Sequence, residues 1–168
     1  KNYTESSIQG DSIVKAIYEK LGVETTFNKK ENSIQLKKNN SKINNPLILN
    51  LNDTPDIAQT IAVTCFGLGI SCQLFGLKTL KIKETDRLLA LKTELEKLGA
   101  TVTITNDSLD LVSVKNINKN VIIETYQDHR MAMAFAPLVF KTPLIINEPN
   151  VVSKSYKSFW EDIRKTGI

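Results

Sequence analysis

Residues 18–36 read YEKLGVETTFNKKENSIQL, and residues 95–111 read LEKLGATVTITNDSLDL. Each stretch is the end of a helix, a Leu-Gly stop, a strand, a polar turn and a second strand. Gly22 and Gly99 follow the last helical turn, where a left-handed cap favours glycine. An apolar strand comes next in both copies, PLILNL at 46–51 and VIIET at 121–125. After each strand stand a loop with an Asp and an alanine-rich helix, PDIAQTIAV from Pro55 and QDHRMAMAF from Gln127. A strand at 71–77 then leads into a helix at 84–98, and a strand at 144–147 into a final helix at 156–165. Leu88, Leu91, Leu95 and Leu98 fall at spacings of three and four, which gives the 84–98 helix one apolar face. The repeating α/β unit is β-α-β-α-β-β, of roughly 70 residues, present about two and a half times. Such units cannot bury their faces singly and pack around a shared centre.

The first copy lacks its leading strand and first helix, and the sequence opens at Lys1 on a polar segment with no initiator Met. The expectation is one domain over residues 1–168, cut from a longer chain at its start. Hydrophobic residues make up 41% and charged residues 24%, the balance of an ordinary soluble globular protein. Cys65 and Cys72 lie in or beside an apolar run without metal-like partners, so they read as small buried hydrophobes. The apolar run 57–70 is broken by Gln59, Thr60 and Thr64 and is too short to span a bilayer. No membrane association, no signal peptide and a cytoplasmic location are expected. The net charge of +4 suits an anionic partner without naming one. Stacking aromatics of the kind a single-strand binder interleaves with its lysines are missing, so nucleic acid is not the expected partner.

Four junctions concentrate the residues with chemistry: Thr54-Pro-Asp56, Lys81 to Arg87 (KIKETDR), Gln127-Asp-His-Arg130 and Ser153-Lys-Ser155. They recur at equivalent places in successive units, each read as the N-terminal end of a helix. Helix N-termini attract anions through free N–H groups and the helix dipole. Lys83, Arg87, Arg130 and Lys154 added to such a rim suit more than one negative group, and the arginine fork fits carboxylate and phosphate. An open, concave, basic face is therefore expected. Each residue also has a plainer reading: Asp56 as a first-turn acid, Glu84 and Arg87 as an i,i+3 surface pair, Lys83 as a solvated lysine.

These stretches resemble the EPSP synthase family of enolpyruvyl transferases. KIKETDRLLALKTEL is similar to the family's signature around Lys-Glu-Thr/Ser-Asp-Arg, and YQDHRMAMAF to its Asp-His-Arg helix start. DTPDIAQTIAV matches its Pro-Asp-x-Ala segment and VVSKSYKSFWEDI its Lys-Ser/Thr tail, so the resemblance runs almost end to end. It implies a fold with helices inside and sheets outside, an inside-out α/β barrel-like packing, forming one domain of a two-domain enzyme. This chain would be most of the C-terminal domain, with the N-terminal domain its missing partner. The implied reaction moves the enolpyruvyl group of phosphoenolpyruvate (PEP) to the 5-hydroxyl of shikimate 3-phosphate, without metal or organic cofactor. The fragment alone would then be inactive.

Roles carried over by position make Asp56 the proton acceptor, a role that suits a buried loop Asp if its pKa is raised toward working pH. Glu84 would donate to the PEP methylene, and Lys154 would bind PEP and assist proton transfer. Arg87 and Arg130 would bind PEP, and Lys83 the shikimate phosphate. The family often has Asn four residues before the Lys-Glu pair, where this chain has Thr79, whose hydroxyl would replace that contact. Asp86, Asp128 and His129, the only histidine, would support the arginines or cap helices. Two other readings remain: the same fold acting on another enolpyruvyl acceptor, and a non-catalytic module binding anions or nucleic acid.

Overall fold

The computed structural model describes residues 10–167, so the polar opening segment lies outside the described residues. The chain divides into two compact units, Lys1–Asn45 and Pro46–Ile168.

In the first unit a short 3-10 helix, Gly10–Ile13, runs into α1 (Val14–Lys20). The helix stops at Gly22, whose φ of 88° lies in the left-handed region, and the chain enters the antiparallel hairpin of β1 (Val23–Asn28) and β2 (Ser33–Lys38). Asn28 shapes the turn, its Oδ1 accepting from the N–H groups of Lys30 at 3.1 Å and Glu31 at 3.3 Å. Among the described residues of this unit, Ile17 and Leu21 are the buried apolar ones.

The second unit holds one whole repeat and most of another. The whole one is β3 (Leu47–Asn50), α2 (Ala58–Leu68), β4 (Cys72–Phe75), α3 (Arg87–Lys97), β5 (Thr101–Ile104) and β6 (Ser108–Val112). Its sheet has the order β3-β4-β6-β5, with β3 parallel to β4 and the other neighbours antiparallel. The next repeat supplies β7 (Val121–Ile123), α4 (His129–Phe135), β8 (Leu144–Ile146) and α5 (Phe159–Arg164), with β7 parallel to β8. Each parallel pair is joined through a helix, as a crossover requires.

Side-chain alternation sets the layers. In β3, Leu47 and Leu49 point inward while Ile48 and Asn50 face out; in β4, Cys72 and Leu74 are buried and Phe75 is exposed. One sheet face is therefore reserved for helices. Helix α2 is buried nearly all round, with Ala58, Gln59, Ile61, Ala62, Val63, Cys65 and Phe66 inside, and it packs against α4 and α3. Helices inside and sheets outside is thus the observed arrangement of this unit. Cys65 and Cys72 are free, fully buried and hydrogen-bonded to each other. On α3 Leu88, Leu91 and Leu95, and at its C-cap Leu98, are each 0% exposed, and burying each contributes about 1.5–3 kcal/mol. Among the described residues no helix is long and apolar enough to cross a membrane.

Two helix starts differ from expectation. Helix α3 begins at Arg87 rather than 84, because the Asp86 carboxylate accepts from the Leu89 N–H at 3.0 Å and caps it there. Helix α5 begins at Phe159 rather than 156. The chain before it forms a 3-10 helix, Pro149–Lys154, and the N–H groups of Ser155 and Tyr156 still bond back to the Val152 carbonyl.

Candidate active site

Three helix starts in the second unit bring the expected residues together. Asp56 lies in the 3-10 helix Pro55–Ile57 that leads into α2. Lys83 and Glu84 lie between the 3-10 helix Lys78–Ile82 and α3, whose first residue is Arg87. Asp128 is the N-cap of α4 and Arg130 its second residue.

Arg87 is the hub. Its Nε donates to Asp128 Oδ2 at 2.7 Å, and Nη2 reaches Asp128 Oδ1 at 3.4 Å, a forked grip on one carboxylate. Nη1 donates to Asp56 Oδ1 at 3.0 Å and Nη2 to Glu84 Oε2 at 2.6 Å. Every nitrogen of the guanidinium is engaged. The Arg87 side chain is 2% exposed and that of Asp128 is 0% exposed, so the pair is deeply buried. Removing one partner of such a pair costs about 3–5 kcal/mol, because the other is left charged and unpaired. Asp128 also accepts from the Arg130 N–H at 2.8 Å and from Gln59 Nε2 at 3.3 Å.

Asp56 gathers the remaining cations. Lys83 Nζ stands 3.2 Å from its Oδ1 and Arg130 Nη2 3.6 Å from its Oδ2, while Arg130 Nη1 donates to its backbone carbonyl at 2.9 Å. Lys83, Arg87 and Arg130 thus face Asp56, Glu84 and Asp128, three positive groups against three negative ones. Two expectations are corrected here. The face is not an open basic one, since carboxylates neutralise it and its central arginine is buried. Nor is the Asp56 pKa raised: burial pushes it up, but the Lys83 hydrogen bond and the charges of Arg130, Lys83 and Arg87 outweigh burial and hold it below 3.8.

Other expected residues lie outside this network or at its edge. Lys154 ends a 3-10 helix instead of opening a helix, which corrects its placement, and it is exposed. Thr79 is exposed on the 3-10 helix Lys78–Ile82. Asp86 caps α3, and His129 places Nδ1 3.9 Å from Asp128 Oδ1. Glu84, Asp128 and His129 bring ligand-type atoms within 4.8 Å of one another, but the positive charge those acids hold is that of Arg87.

Three polar residues beside the cluster were not anticipated: Gln59, Glu94 and Tyr126. Glu94 is fully buried on α3 and meets Lys97, the Tyr126 hydroxyl and the Glu124 N–H. Its signal in the sequence is position, seven residues after Arg87 and between Leu91 and Leu98 on the apolar stripe. Tyr126 and Gln127, just before Asp128, have φ of 53° and 58°. That left-handed conformation costs a non-glycine residue about 1–2 kcal/mol.

A repeated α/β domain that assembles arginines and carboxylates at adjoining helix starts defines a protein with a polar, charge-balanced cluster where its repeats meet. The family follows from comparison with known proteins. A model of the family EPSP synthase (3-phosphoshikimate 1-carboxyvinyltransferase) matches residues 1–163, and the chain belongs to that family. A Bacteroides fragilis protein named 3-phosphoshikimate 1-carboxyvinyltransferase is 46% identical over 165 residues, which are 96% of this chain and 40% of that protein. The chloroplastic protein of that name from Solanum lycopersicum is 34% identical over 166 residues, 95% of this chain and 31% of its own length. A solved EPSP synthase from Acinetobacter baumannii superposes with a TM-score of 0.75 at 21% identity, over 90% of this chain and 38% of that one. The chain therefore spans about a third to two fifths of the length of these relatives.

Proposed function

We propose that this chain supplies part of the active site of an enzyme that transfers the enolpyruvyl group of PEP to the 5-hydroxyl of shikimate 3-phosphate and releases phosphate. The observation that carries the reading is the meeting of Asp56, Glu84, Arg87 and Arg130 in one hydrogen-bonded cluster. The acceptor oxygen attacks C2 of PEP while C3 takes a proton, giving a tetrahedral intermediate. Loss of phosphate and of a C3 proton then restores the double bond in the product. Asp56 takes the hydroxyl proton, and Glu84 delivers and removes the proton at C3. Arg87, Arg130 and Lys154 neutralise the PEP anion, while Lys83 and Thr79 hold the shikimate phosphate.

The lowered pKa of Asp56 fits this sequence. Its carboxylate answers the cations of Lys83, Arg130 and Arg87, and arriving phosphate and carboxylate groups compete for the same cations. Once Lys83, Arg130 and Arg87 turn to the ligand, what holds the Asp56 pKa down weakens and its carboxylate becomes a stronger base.

The test is phosphate release from PEP and shikimate 3-phosphate by the full-length protein. Glu84→Gln and Asp56→Asn are expected to lower kcat by about a hundredfold or more with smaller effects on KM. Arg130→Ala is expected to raise the KM for PEP as well. Near wild-type turnover in both carboxylate variants would sink the mechanism. The isolated chain is expected to release no phosphate, because groups that act as a unit lose nearly all catalysis when divided.

A further inference from the structure

Helix α3 grips the segment 124–128 at two places. At its first residue, Arg87 holds the Asp128 carboxylate. Two turns later on the same side, Glu94 holds the residues just before it. Glu94 Oε1 accepts from the Tyr126 hydroxyl at 2.6 Å, and Oε2 accepts from the Glu124 N–H at 3.2 Å. Lys97 lies 2.7 Å from the same carboxylate and supplies its countercharge. Burial, and after it the bond to Glu94, pushes the Tyr126 pKa up, so the hydroxyl remains a donor at neutral pH.

Between the two grips lie Tyr126 and Gln127, both at positive φ. Two consecutive non-glycine residues keep that conformation only when their surroundings hold them in it. We propose that Glu94 and Tyr126 form a brace that keeps this turn wound and so sets the position of Asp128, and through it Arg87 and Arg130. The brace acts on Asp128 and not on substrate, so both are positioning residues; their effect on turnover rests on the reading of the site as one for enolpyruvyl transfer.

The test compares Tyr126→Phe, Glu94→Gln and the double variant of the full-length protein with Lys92→Ala, which breaks a pair with Glu96 elsewhere on α3. Two quantities are measured. One is hydrogen exchange of the Arg87 Nε–H, followed by NMR with nitrogen-labelled arginine. The other is the KM for PEP. In Tyr126→Phe and Glu94→Gln, exchange is expected to quicken about tenfold and KM to rise about tenfold, with neither changed in Lys92→Ala. The double variant is expected to fall short of the sum of the two single effects, because both act on the Tyr126–Glu94 contact. If Tyr126→Phe lowers the melting temperature as Lys92→Ala does yet leaves exchange and KM at wild-type values, the brace is refuted. A wild-type protein without turnover would overturn the functional reading instead. Exchange alone then decides the brace: faster exchange supports it, and unchanged exchange refutes it.

Discussion

Asp56 carries three cationic neighbours on one half-buried carboxylate, and that makes its charge a stabilising one. Its pKa in the folded chain lies below 3.8, so the unfolded chain binds the proton more readily than the native one. The stability it contributes is present above about pH 4 and is lost as pH falls through the lower, folded value. Asp56→Asn removes that contribution at every pH. The gap in unfolding free energy between the wild type and this variant is therefore expected to be steady from about pH 7 to 5 and to shrink below about pH 4. A gap unchanged down to about pH 2 would contradict the assignment. Asp56, Glu84, Arg87 and Arg130 were legible from their junctions and their likeness to a known signature. The Glu84–Arg87 pair and the support from Asp128 were also readable, but not the burial of Arg87 or its bond to Asp56, because these depend on separate helix starts meeting in space. Glu94 was missed for another reason. A helical Glu followed three residues later by Lys reads as a surface pair, and only its place on the leucine stripe marks it as buried.

Caps decide where the elements begin. Asp86 and Asp128 each bend an oxygen back to an N–H of the helix that follows, Leu89 at 3.0 Å and Arg130 at 2.8 Å. Both caps stand immediately beside site residues, so the same local chemistry that starts a helix also aims its first side chains. Asp86→Ala is expected to cost about 1 kcal/mol and to lower the melting temperature by about 2–4 °C, with most of the loss recovered in Asp86→Ser. Calorimetry of the three proteins checks this; an alanine variant as stable as the wild type would mean the cap contributes nothing. The order of helices and strands was readable because each copy of the repeat corroborates the other. Two starts were placed three residues early, at 84 and 156. Glu84 and Thr85 carry no stop signal ahead of the Asp86 cap, and the turns before α5 are helix-like without being α-helical. The strained turn at Tyr126 and Gln127 gave no sign, since neither residue is one that favours positive φ.

Over the whole second unit, the repeat explains why α2 is buried almost all round while the sheet keeps one face outside. A helix shared between neighbouring repeats has no solvent side, which is why its sequence is apolar beyond a single stripe. The shared centre followed from the period of the repeat, and helices inside with sheets outside from the family resemblance. The charge balance of the site did not, because it depends on residues from separate helix starts meeting in space. The two buried thiols offer a different kind of access to this packing. Cys65 belongs to the inner helix and Cys72 to the strand laid over it, and both are fully covered. Their mutual hydrogen bond, followed by burial, holds the Cys72 thiol well above its usual pKa, far from the reactive thiolate. In the native chain neither sulfur is open to an alkylating reagent. Both become open when helix and sheet part. With reagent in excess, labelling at Cys65 and Cys72 is expected to run at one common rate that rises with denaturant as global unfolding does. Mass spectrometry after timed quenching reads it, and one thiol labelling well ahead of the other would reveal that the layers open separately. The chain thus contains a chemical clock for the separation of its own layers.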